Sequence, residues 1–524
     1  MLIVGIGGIL RGAAAAVLRD GELAAAIEEE KLRRPRPGTL PLESVRACLE
    51  MAGSKADDVD WVVLAGPLGA GASSHLHLEV KALFPRGRIR VVDHHSAHAA
   101  SAFYLSGFDR ATVLTLDRRG DLRCGARWAA EGNRLRLEEE LYAPDSPAEF
   151  YGRITELLGF RARVEEHKVQ WLSPGGSPVY AGLFSDVMGA GGNGWPNFDR
   201  SFFDANQNTQ GGFSEKFFAR LGVEGPKGIT EQMRLDLASS VQRAVESVIL
   251  QMAGQGENLC LAGGLGLNAM LVAALENSGC YRGVFVQPAA GNSGTALGAA
   301  LHGWHHVLGR TERVPPGNLC YGPGLDREEI KRVIENCKLR FRYLLTTTEL
   351  IETAVRKLGE RQIVAWCQGR MEFGPRALGN RSILASPLDP YSTENLNLFI
   401  KHREPFRKFA ASVPAEAAAE YFECGPNARF LATVSRVRPQ WRERFEAALL
   451  GGDQIRVHVV HREDNALYWE LLEAAGRASG LPVLYNTSFN LFGEPLVCDA
   501  RDAVRSFYSS GIDAMFVGNF FLEK

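Results

Sequence analysis

Short apolar runs separated by glycine turns fill the first part of the chain. The predicted elements here are strands at Leu2–Ile6, Ala13–Leu18, Glu22–Ile27, Trp61–Ala65, Ile89–Val92 and Ala111–Leu116, and a helix at Pro41–Ala52. Apolar runs of this length, bounded by glycine, are typical of buried strands, and the turn Arg19-Asp20-Gly21 joins the second and third strands as a hairpin. The pattern predicts a mixed α/β domain.

A second round of the same pattern begins near residue 258. Its predicted elements are a strand at Asn258–Ala262, the turn Gly263–Gly266, a helix from Leu267, a strand at Val284–Gln287, the turn Gly291–Gly294 and a helix at Thr295–His306. Glycine turns that open helices direct backbone N–H groups at an anionic ligand. The candidate nucleotide-binding residues are therefore Gly263, Gly264, Asn268, Gly291 and Asn292. Such strands with glycine turns resemble the architecture of actin-like ATPases.

The stretch between the two rounds, from about residue 120 to about 230, is rich in glycine and aromatic residues. Its loops at Gly189–Trp195 and Asn206–Gly212 are of a kind that often forms specificity surfaces. Proline and glycine signals between Gly317 and Glu349 indicate a domain boundary. We therefore predict an N-terminal domain at 1–335, which includes the insertion, and a C-terminal domain at 345–524.

Composition restricts the classes of protein to consider. The chain has 524 residues, 45% hydrophobic and 23% charged, which predicts a soluble globular protein of two or three domains. Because 59 Lys and Arg nearly balance 61 Asp and Glu, no global field favours nucleic acid or an anionic membrane. The nine cysteines contain no C-x-x-C pair, the start lacks a basic signal segment, and no apolar run is long enough to span a membrane. A cytoplasmic location is expected.

Five cations lie close together in sequence among glycines and small polar residues. They are Arg376, Arg381, Lys401, Arg403 and Arg407. Guanidinium forks, a mobile ammonium group and approachable glycine backbone together suit phosphate or carboxylate. A solvated basic surface is the alternative. The Gly-Pro-Arg-Ala-Leu-Gly context of Arg376 favours the anion site, because proline and two glycines constrain the backbone around one arginine.

Four longer blocks identify a family. They are Val92–Ala102, Val286–Ala300, the arginine block Gly369–Ile383, and Pro482–Asn490 with Gly493-Glu494-Pro495. In these blocks and in their order the chain resembles the carbamoyltransferase family that includes nodulation-factor, tobramycin and cephamycin carbamoyltransferases. The resemblance implies an α/β fold, with an N-terminal actin-like ATPase (ASKHA) domain and a C-terminal YrdC-like domain.

The resemblance also implies an activity. The C-terminal domain would use carbamoyl phosphate and ATP, with Mg²⁺, to form carbamoyladenylate. The N-terminal domain would then transfer the carbamoyl group to a hydroxyl of a small-molecule acceptor, here a secondary metabolite of the antibiotic type. Relatives of this family often pair, so a homodimer is expected.

The family motifs assign roles to residues of the C-terminal domain. Arg376, Lys401 and Arg407 would be catalytic, because they would neutralise phosphate charge as the anhydride forms. The residues implied to bind substrate or nucleotide are Arg381, Arg403, Arg456, Asn486, Ser488 and Asn490. Arg456 matches only a short motif, and a strand arginine on a solvent face is an equal alternative.

A metal site is expected in the N-terminal domain. His94 and His98 are four residues apart in a sequence compatible with a helix, so both imidazoles could face one side. A pair on a helix surface is the alternative. The family context favours a divalent ion, Fe²⁺ in relatives, with Asp117 as the carboxylate ligand and His94 also catalytic. Asn292 stands where the family has an aspartate ligand.

Other positions also depart from the family pattern. Leu10, Arg11 and Gly12 replace a His-Asp-Ser sequence whose histidine is the favoured general base, and Arg118 replaces a glycine. Two interpretations stay open: guanidinium groups have replaced the metal, or the N-terminal domain has lost catalysis. In the second case the protein would be a degenerate, half-catalytic partner of an active enzyme. A third function, tRNA carbamoylation, is disfavoured by the near-neutral charge.

Overall fold

The structure is a computed structural model that describes residues 1–33, 37–66, 73–204, 209–313, 317–491 and 493–524. The chain divides into two compact units. Unit 1 comprises Met1–Leu64, Leu68–Arg90 and Val314–Lys524, and unit 2 comprises Ala65–Pro67 and Val91–Arg313. This division does not follow the predicted boundary at 335–345, because the N-terminal sheet is grouped with the C-terminal part of the chain. The assignment of catalytic domains in sequence order stays a prediction about activity.

The first sheet of unit 1 has five strands. Its elements are β1 (Leu2–Gly7), β2 (Ala14–Arg19), β3 (Glu22–Glu28), α1 (Glu29–Leu32), α2 (Leu42–Met51), β4 (Trp61–Ala65), α3 (Ser73–Leu83) and β5 (Arg88–Val92). The strand order is β3-β2-β1-β4-β5. β1 is antiparallel to β2 and parallel to β4, with Val4 opposite both Val17 and Val62. All six residues of β1 are buried, as its continuous apolar run predicts.

Unit 2 repeats this order around a second five-stranded sheet. Its elements are α4 (His94–Phe103), β6 (Arg110–Gly120), β7 (Arg123–Glu131), β8 (Arg134–Tyr142), α5 (Pro147–Leu157), α6 (Glu166–Leu172), α7 (Ala181–Met188), α8 (Glu215–Leu221), α9 (Glu231–Ala253), β9 (Gly256–Ala262), α10 (Ala269–Glu276), β10 (Tyr281–Val286) and α11 (Gly294–His302). The order is β10-β9-β6-β7-β8, with β6 antiparallel to β7 and parallel to β9. The two sheets therefore share one topology, three antiparallel strands followed by two more beside the first strand. This duplication is the core of the actin-like ATPase fold, which confirms the predicted architecture.

Helices α4 and α11 cross closely in unit 2. A Cβ atom at Gly298 would lie 1.8 Å from the carbonyl oxygen of Ala97, so only glycine permits this approach. The insertion after β8 has its own aromatic core, in which the rings of Phe213 and Phe217 stack with centroids 4.0 Å apart. Of the two predicted loops, Gly189–Trp195 is described, whereas Asn206–Gly212 lies partly outside the described residues.

The C-terminal part of unit 1 is built on a ten-stranded sheet. Its elements are α12 (Arg327–Asn336), β11 (Arg342–Tyr343), α13 (Thr347–Gly359), β12 (Val364–Cys367), β13 (Arg381–Ala385), α14 (Ser392–Asn395), β14 (Ala410–Pro414), α15 (Ala415–Tyr421), β15 (Phe422–Glu423), β16 (Ser435–Val437), β17 (Gln454–Val460), α16 (Ala466–Ser479), β18 (Leu484–Ser488), α17 (Ala500–Tyr508), β19 (Ala514–Val517) and β20 (Phe520–Glu523). The strand order is β11-β20-β19-β12-β13-β18-β14-β17-β16-β15.

Successive residues of these strands enter different hydrophobic clusters. Ala365 and Ile383 pack in one cluster, and their neighbours Trp366 and Leu384 pack in the other. Helices cover both faces, so the sheet is the centre of an α/β domain, the class predicted as YrdC-like. Among the described residues, no helix is long and apolar enough to cross a membrane.

Candidate functional site

A cluster of cations lies near the start of β14 and β17 and the end of β18 in the C-terminal sheet. Arg376 belongs to the segment between β12 and β13, and Lys401 ends the helical turn Leu396–Lys401 that follows α14. Arg403 and Arg407 follow in the segment before β14, and Arg456 lies on β17. Each of these side chains lies within electrostatic range of at least one other. The structure therefore brings together five of the predicted residues, including Arg456, which matches only a short family motif.

The surroundings of this cluster disfavour charge. Burial, followed by repulsion from Arg407, lowers the pKa of Arg376 to about 10 and that of Arg403 to about 9. Burial also lowers the pKa of Lys401 well below its ordinary value, with repulsion from Arg403 and Arg407 adding to it. Lys401 is buried and the four arginines are half-buried, which disfavours the alternative of a fully solvated basic surface. A polyanion would relieve the repulsion, so the cluster suits phosphate groups.

Lys401 is anchored to the predicted Asn-Thr-Ser-Phe-Asn turn. Its ammonium group donates to the carbonyl oxygens of Ser488 and Asn490 and, at 2.7 Å, to Oδ1 of Asn490. Ser488 Oγ donates to the same Oδ1 at 2.9 Å, and Asn490 Nδ2 donates to the carbonyl of Glu494. Lys401, Ser488 and Asn490 therefore form one hydrogen-bonded unit that shapes the end of β18.

Asn486 faces the same side of the sheet as Arg456. Both lie opposite Ala410, on the two strands that flank β14. Asn486 Nδ2 donates to the carbonyl of Ala377 at 3.1 Å and to Ser412 Oγ at 3.2 Å. Asn486 thus links the sheet directly to the segment that contains Arg376.

Arg381 does not belong to the cation cluster. Its side chain is fully buried, and the guanidinium group donates to the backbone carbonyls of Gln368, Gly369, Asn380, Pro323 and Cys498. Both terminal nitrogens of this guanidinium already donate to carbonyl oxygens, so they are not available to a phosphate group. The structure therefore corrects the expectation that Arg381 binds ligand: it holds neighbouring segments together.

Sequence reasoning missed the acidic and basic residues that hold the backbone of the arginine block, Gly369–Ile383, in place. Glu372 is fully buried, and its Oε1 accepts from the backbone N–H groups of Leu378, Asn380 and Arg381. Lys31 donates to the carbonyls of Glu372 and Gly374, each at 2.9 Å, and Glu28 accepts from the Gly374 N–H at 2.7 Å. The run Glu28-Glu29-Glu30-Lys31 has the composition of an exposed face, which hid these residues.

A second cluster lies in unit 2, where α4 meets the end of β6. The Nε2 atom of His94 is 2.8 Å from Asp117 Oδ2, and the Nε2 atom of His98 is 3.3 Å from it. The two Nε2 atoms are 3.1 Å apart. One turn of α4 thus places both imidazoles on the same side, and the three predicted ligands come together.

The donor set fits a divalent transition metal. His94 Nδ1 lies 3.1 Å from the Gly66 carbonyl, the arrangement that leaves Nε2 bare for a metal. Gly120 leaves room for the His94 ring, since a Cβ there would come within 2.0 Å of it. Burial lowers the pKa of His98, whereas hydrogen bonds from His94 and His98 overcome burial and hold the pKa of Asp117 well below its usual value. A neutral imidazole and an ionised carboxylate are the forms that bind metals, and at His94, where the hydrogen bond to Asp117 outweighs burial and raises the pKa, binding would release a proton.

His95 lies outside this donor set. Its Nδ1 is 2.8 Å from Thr115 Oγ1, and its Nε2 is 3.2 Å from the carbonyl of Arg123. Burial, with repulsion from His94 and His98, lowers the pKa of His95 to about 3. The residue is therefore neutral and packed.

Of the two predicted glycine turns of unit 2, the turn Gly263–Gly266 lies against the histidine and aspartate cluster. A Cβ at Gly263, whose φ is +93°, would lie 2.1 Å from the Leu116 carbonyl, and one at Gly264 would lie 3.0 Å from Asp117 Oδ1. The first turn therefore packs against the strand end that presents Asp117. Asn268 instead caps α10, where its Oδ1 accepts from the backbone of Met270 and Leu271.

The second turn is bound to its own helix. The Gly291 carbonyl accepts from the Gly294 N–H at 3.0 Å. The carbonyl of Asn292 accepts from the backbone N–H and the hydroxyl of Thr295. In these bonds Gly291 and Asn292 accept through their carbonyl oxygens.

Arg118 does not replace a metal. Its Nε and Nη2 atoms form a two-pronged ion pair with Glu149 of α5, while its backbone N–H donates to Asp117 Oδ1 at 2.9 Å. In unit 1, Leu10 and Arg11 are exposed. The interpretation in which the Arg118 guanidinium substitutes for an ion at Asp117 is therefore wrong.

The fold and the two clusters define an α/β protein with a duplicated actin-like core and a C-terminal domain that contains a cluster of cations. Family models agree with this class: the carbamoyltransferase N-terminus matches residues 73–301, and the carbamoyltransferase C-terminus matches residues 355–524. A protein of Synechocystis sp. described only as uncharacterized is 32% identical and covers 100% of this chain and 96% of its own. Nodulation protein NolNO of Sinorhizobium fredii is 32% identical and covers 98% of this chain and 78% of its own. The chain therefore belongs to the carbamoyltransferase family and is a transferase.

Among solved structures, component A of (R)-2-hydroxyglutaryl-CoA dehydratase from Acidaminococcus fermentans is 18% identical, with a TM-score of 0.35. That alignment covers 58% of this chain and 97% of the other.

Proposed function

We propose that the protein is an ATP-dependent O-carbamoyltransferase that uses carbamoyl phosphate and acts on a hydroxyl of a secondary metabolite. The cation cluster of Arg376, Lys401, Arg403, Arg407 and Arg456 is the observation on which this proposal rests. The four arginines and the lysine lie within electrostatic range of one another, and this concentration of positive charge suits a polyanion.

The activation step would take place at this cluster. Water cleaves carbamoyl phosphate to carbamate and phosphate, and a carbamate oxygen then attacks the α-phosphorus of ATP. The bond to the β-phosphate breaks, which gives carbamoyladenylate and pyrophosphate. Arg376 and Arg456 would bind the phosphate oxygens and stabilise the charge that moves onto the leaving pyrophosphate. Mg²⁺ would accompany the nucleotide and neutralise part of that charge.

The transfer step would require the acceptor hydroxyl to attack the carbamoyl carbon, with AMP leaving and the hydroxyl proton passing to a base. His94, His98 and Asp117 would hold a divalent ion, with Fe²⁺ as the first candidate. When bound, such an ion supplies a Lewis acid for phosphate oxygens. The Gly66 carbonyl and Gly120 would keep the His94 ring in its ligating orientation.

The activation step can be tested by pyrophosphate release. With carbamoyl phosphate and ATP, the native protein should release pyrophosphate, and Arg376→Ala or Lys401→Ala should abolish the release. Arg436→Ala is the matched control, because Arg436 is an exposed arginine on β16, opposite Gln454 of the strand that contains Arg456. Normal release by both site variants would show that the site is wrongly assigned.

A second function, a half-catalytic partner of an active carbamoyltransferase, is favoured by one observation. Leu10, Arg11 and Gly12 occupy the positions where the family pattern has its favoured general base, and Leu10 is 41% exposed. Such a protein would release pyrophosphate without transferring the carbamoyl group. Detection of a carbamoylated hydroxyl compound with the isolated protein would eliminate this candidate.

The remaining expectations belong to the same proposal. A cytoplasmic homodimer with a small-molecule acceptor and no nucleic-acid partner is the state that the family resemblance and the balanced charge favour. Filter retention of labelled tRNA at low salt tests the last point, because tRNA carbamoylation requires salt-sensitive binding.

A further inference from the structure

Glu28 and Lys31 form a buried ion pair far from the cation cluster in sequence. The Lys31 ammonium lies 2.9 Å from Glu28 Oε2, and both side chains are only 6% exposed. Buried charged groups require hydrogen-bond partners as well as an opposite charge. Here the further partners are backbone atoms of Glu372 and Gly374 in the arginine block. An ion pair that binds loop backbone at such a distance along the chain indicates a positioning role.

The pair holds both polar groups of Gly374. Lys31 Nζ donates to the Gly374 carbonyl at 2.9 Å, and Glu28 Oε1 accepts from its N–H at 2.7 Å. Gly374 has a φ of +106°, a conformation that other residues rarely adopt. The next residue, Pro375, has a fixed φ of its own. Because Arg376 comes directly after it, the pair determines where the Arg376 backbone lies.

The far end of the segment is held separately. Glu372 receives the N–H groups of Leu378, Asn380 and Arg381, so the loop closes around its carboxylate. Lys31 also binds the Glu372 carbonyl at 2.9 Å, which connects the two anchors. Arg376 is thus presented from a segment fixed at both ends.

Helix α1, which contains Lys31, contacts the glycine turn at residues 8–13 of the N-terminal sheet. The N–H of Glu29, the first residue of α1, donates to the Ala13 carbonyl at 2.9 Å, and the Gly38 N–H donates to the Ile9 carbonyl at 2.9 Å. The Glu29 carboxylate in turn accepts from the N–H groups of Glu43 and Ser44 at the start of α2. α1 therefore connects the turn at 8–13 with the segment that contains Arg376.

We propose that Glu28 and Lys31 are positioning residues of the anion site. They place Arg376 for pyrophosphate binding and couple it to the glycine turn at residues 8–13. This proposal rests on the proposed function only for the identity of the reaction. The binding of inorganic pyrophosphate, which needs no carbamoyl chemistry, tests it independently.

The experiment measures pyrophosphate affinity by calorimetric titration of the full-length protein. Lys31→Met keeps the length of the side chain and removes the charge, and it should weaken binding about tenfold, the loss expected for one hydrogen bond to a charged group. Lys31→Arg should restore most of the affinity. Lys357→Met is the matched control, because Lys357 is also buried and ion-paired, with Glu523, and should leave the affinity unchanged.

A double-mutant cycle separates positioning from general stability. If Lys31 acts through Arg376, Lys31→Met should produce no further loss of affinity in an Arg376→Ala background. The remaining cations of the cluster should keep binding measurable there. An equal loss in both backgrounds, or no loss in either, would overturn the proposal.

Pyrophosphate release from ATP and carbamoyl phosphate distinguishes failure of the proposed function from failure of the positioning role. If the native protein binds pyrophosphate but releases none from ATP and carbamoyl phosphate, the proposed function fails while the cycle still decides the role of Lys31. If turnover occurs, Lys31→Met should lower kcat/KM for ATP by a factor similar to its loss of pyrophosphate affinity. Unchanged kcat/KM would contradict the positioning role.

Discussion

Arg376 and Arg381 lie five residues apart in one glycine-rich segment, yet their guanidinium groups have opposite surroundings. Arg376 is close to Arg407, and burial with that repulsion lowers its pKa to about 10. Arg381 is enclosed by backbone carbonyls. Sequence indicates that both are cations near glycines, but it cannot indicate which partners each one meets.

This contrast predicts unequal effects on stability. Arg381→Met should lower the free energy of unfolding by about 3 kcal/mol, because buried carbonyls lose a charged donor. Arg376→Met should cost less, because Arg376 is half-buried and the like charge of Arg407 lies near it. Urea unfolding of the two variants measures the difference. Equal losses would show that Arg376 is a structural residue as well.

The acidic run at the end of β3 shows a related limit at the residue scale. Glu28, Glu29 and Lys31 are buried, at 4%, 6% and 7% exposure, although a charged run normally indicates a solvated face. Their partners lie at residues 43–44 and 372–374. No local signal distinguishes a charge that will be buried by distant backbone from one that stays in water.

At the scale of elements, α4 is where local pattern and function coincide. The i, i+4 spacing of His94 and His98 predicts one face, and the helix places both Nε2 atoms within 3.3 Å of Asp117. The third ligand comes from β6, and the contact between helix and strand depends on glycine at 120.

Metal binding can be tested with Co²⁺, whose visible absorption reports coordination. The native protein should bind one Co²⁺ ion per chain, and His98→Ala should weaken binding by more than about a hundredfold, because one protein ligand is lost. His95→Gln is the control: His95 lies on the same helix but faces Thr115 and should retain binding. Equal affinities of the native protein and His98→Ala would exclude this site.

The crossing of α4 and α11 gives a second prediction for elements. Gly298→Ala should destabilise the protein by about 1–3 kcal/mol, because the new methyl group would overlap the Ala97 carbonyl. Gly182→Ala in α7 is the control, since its Cβ would meet nothing within 4 Å. Helix propensity should make that change neutral or stabilising by about 0.5 kcal/mol. Thermal unfolding compares them, and similar effects would contradict the close crossing.

At the scale of the whole molecule, the cation cluster and the metal cluster belong to different compact units. The cations are in Val314–Lys524 of unit 1, and the histidines are in Val91–Arg313 of unit 2. The family models match one region before and one after residue 330, but contacts group the first sheet with the C-terminal part.

Calorimetry of the full-length protein should therefore show two unfolding transitions with different ligand responses. Inorganic pyrophosphate should shift the transition of unit 1, and Co²⁺ should shift that of unit 2. At 100 times the dissociation constant, each ligand should add about 2.7 kcal/mol to its own unit. A single transition that both ligands shift equally would contradict this independence.

The sequence by itself determined the α/β class, most element positions, the family and the metal-ligand spacing, because apolar periodicity, glycine turns and i, i+4 neighbours are local properties. Its strand at Trp61–Ala65 agrees with β4 at both ends. Only the tertiary structure decided that Arg381 is structural, that Arg118 pairs with Glu149, and that Lys31 binds Glu372, 341 positions away. The reason is physical: a charge acts through its burial and its partners, and both arise from contacts between distant parts of the chain.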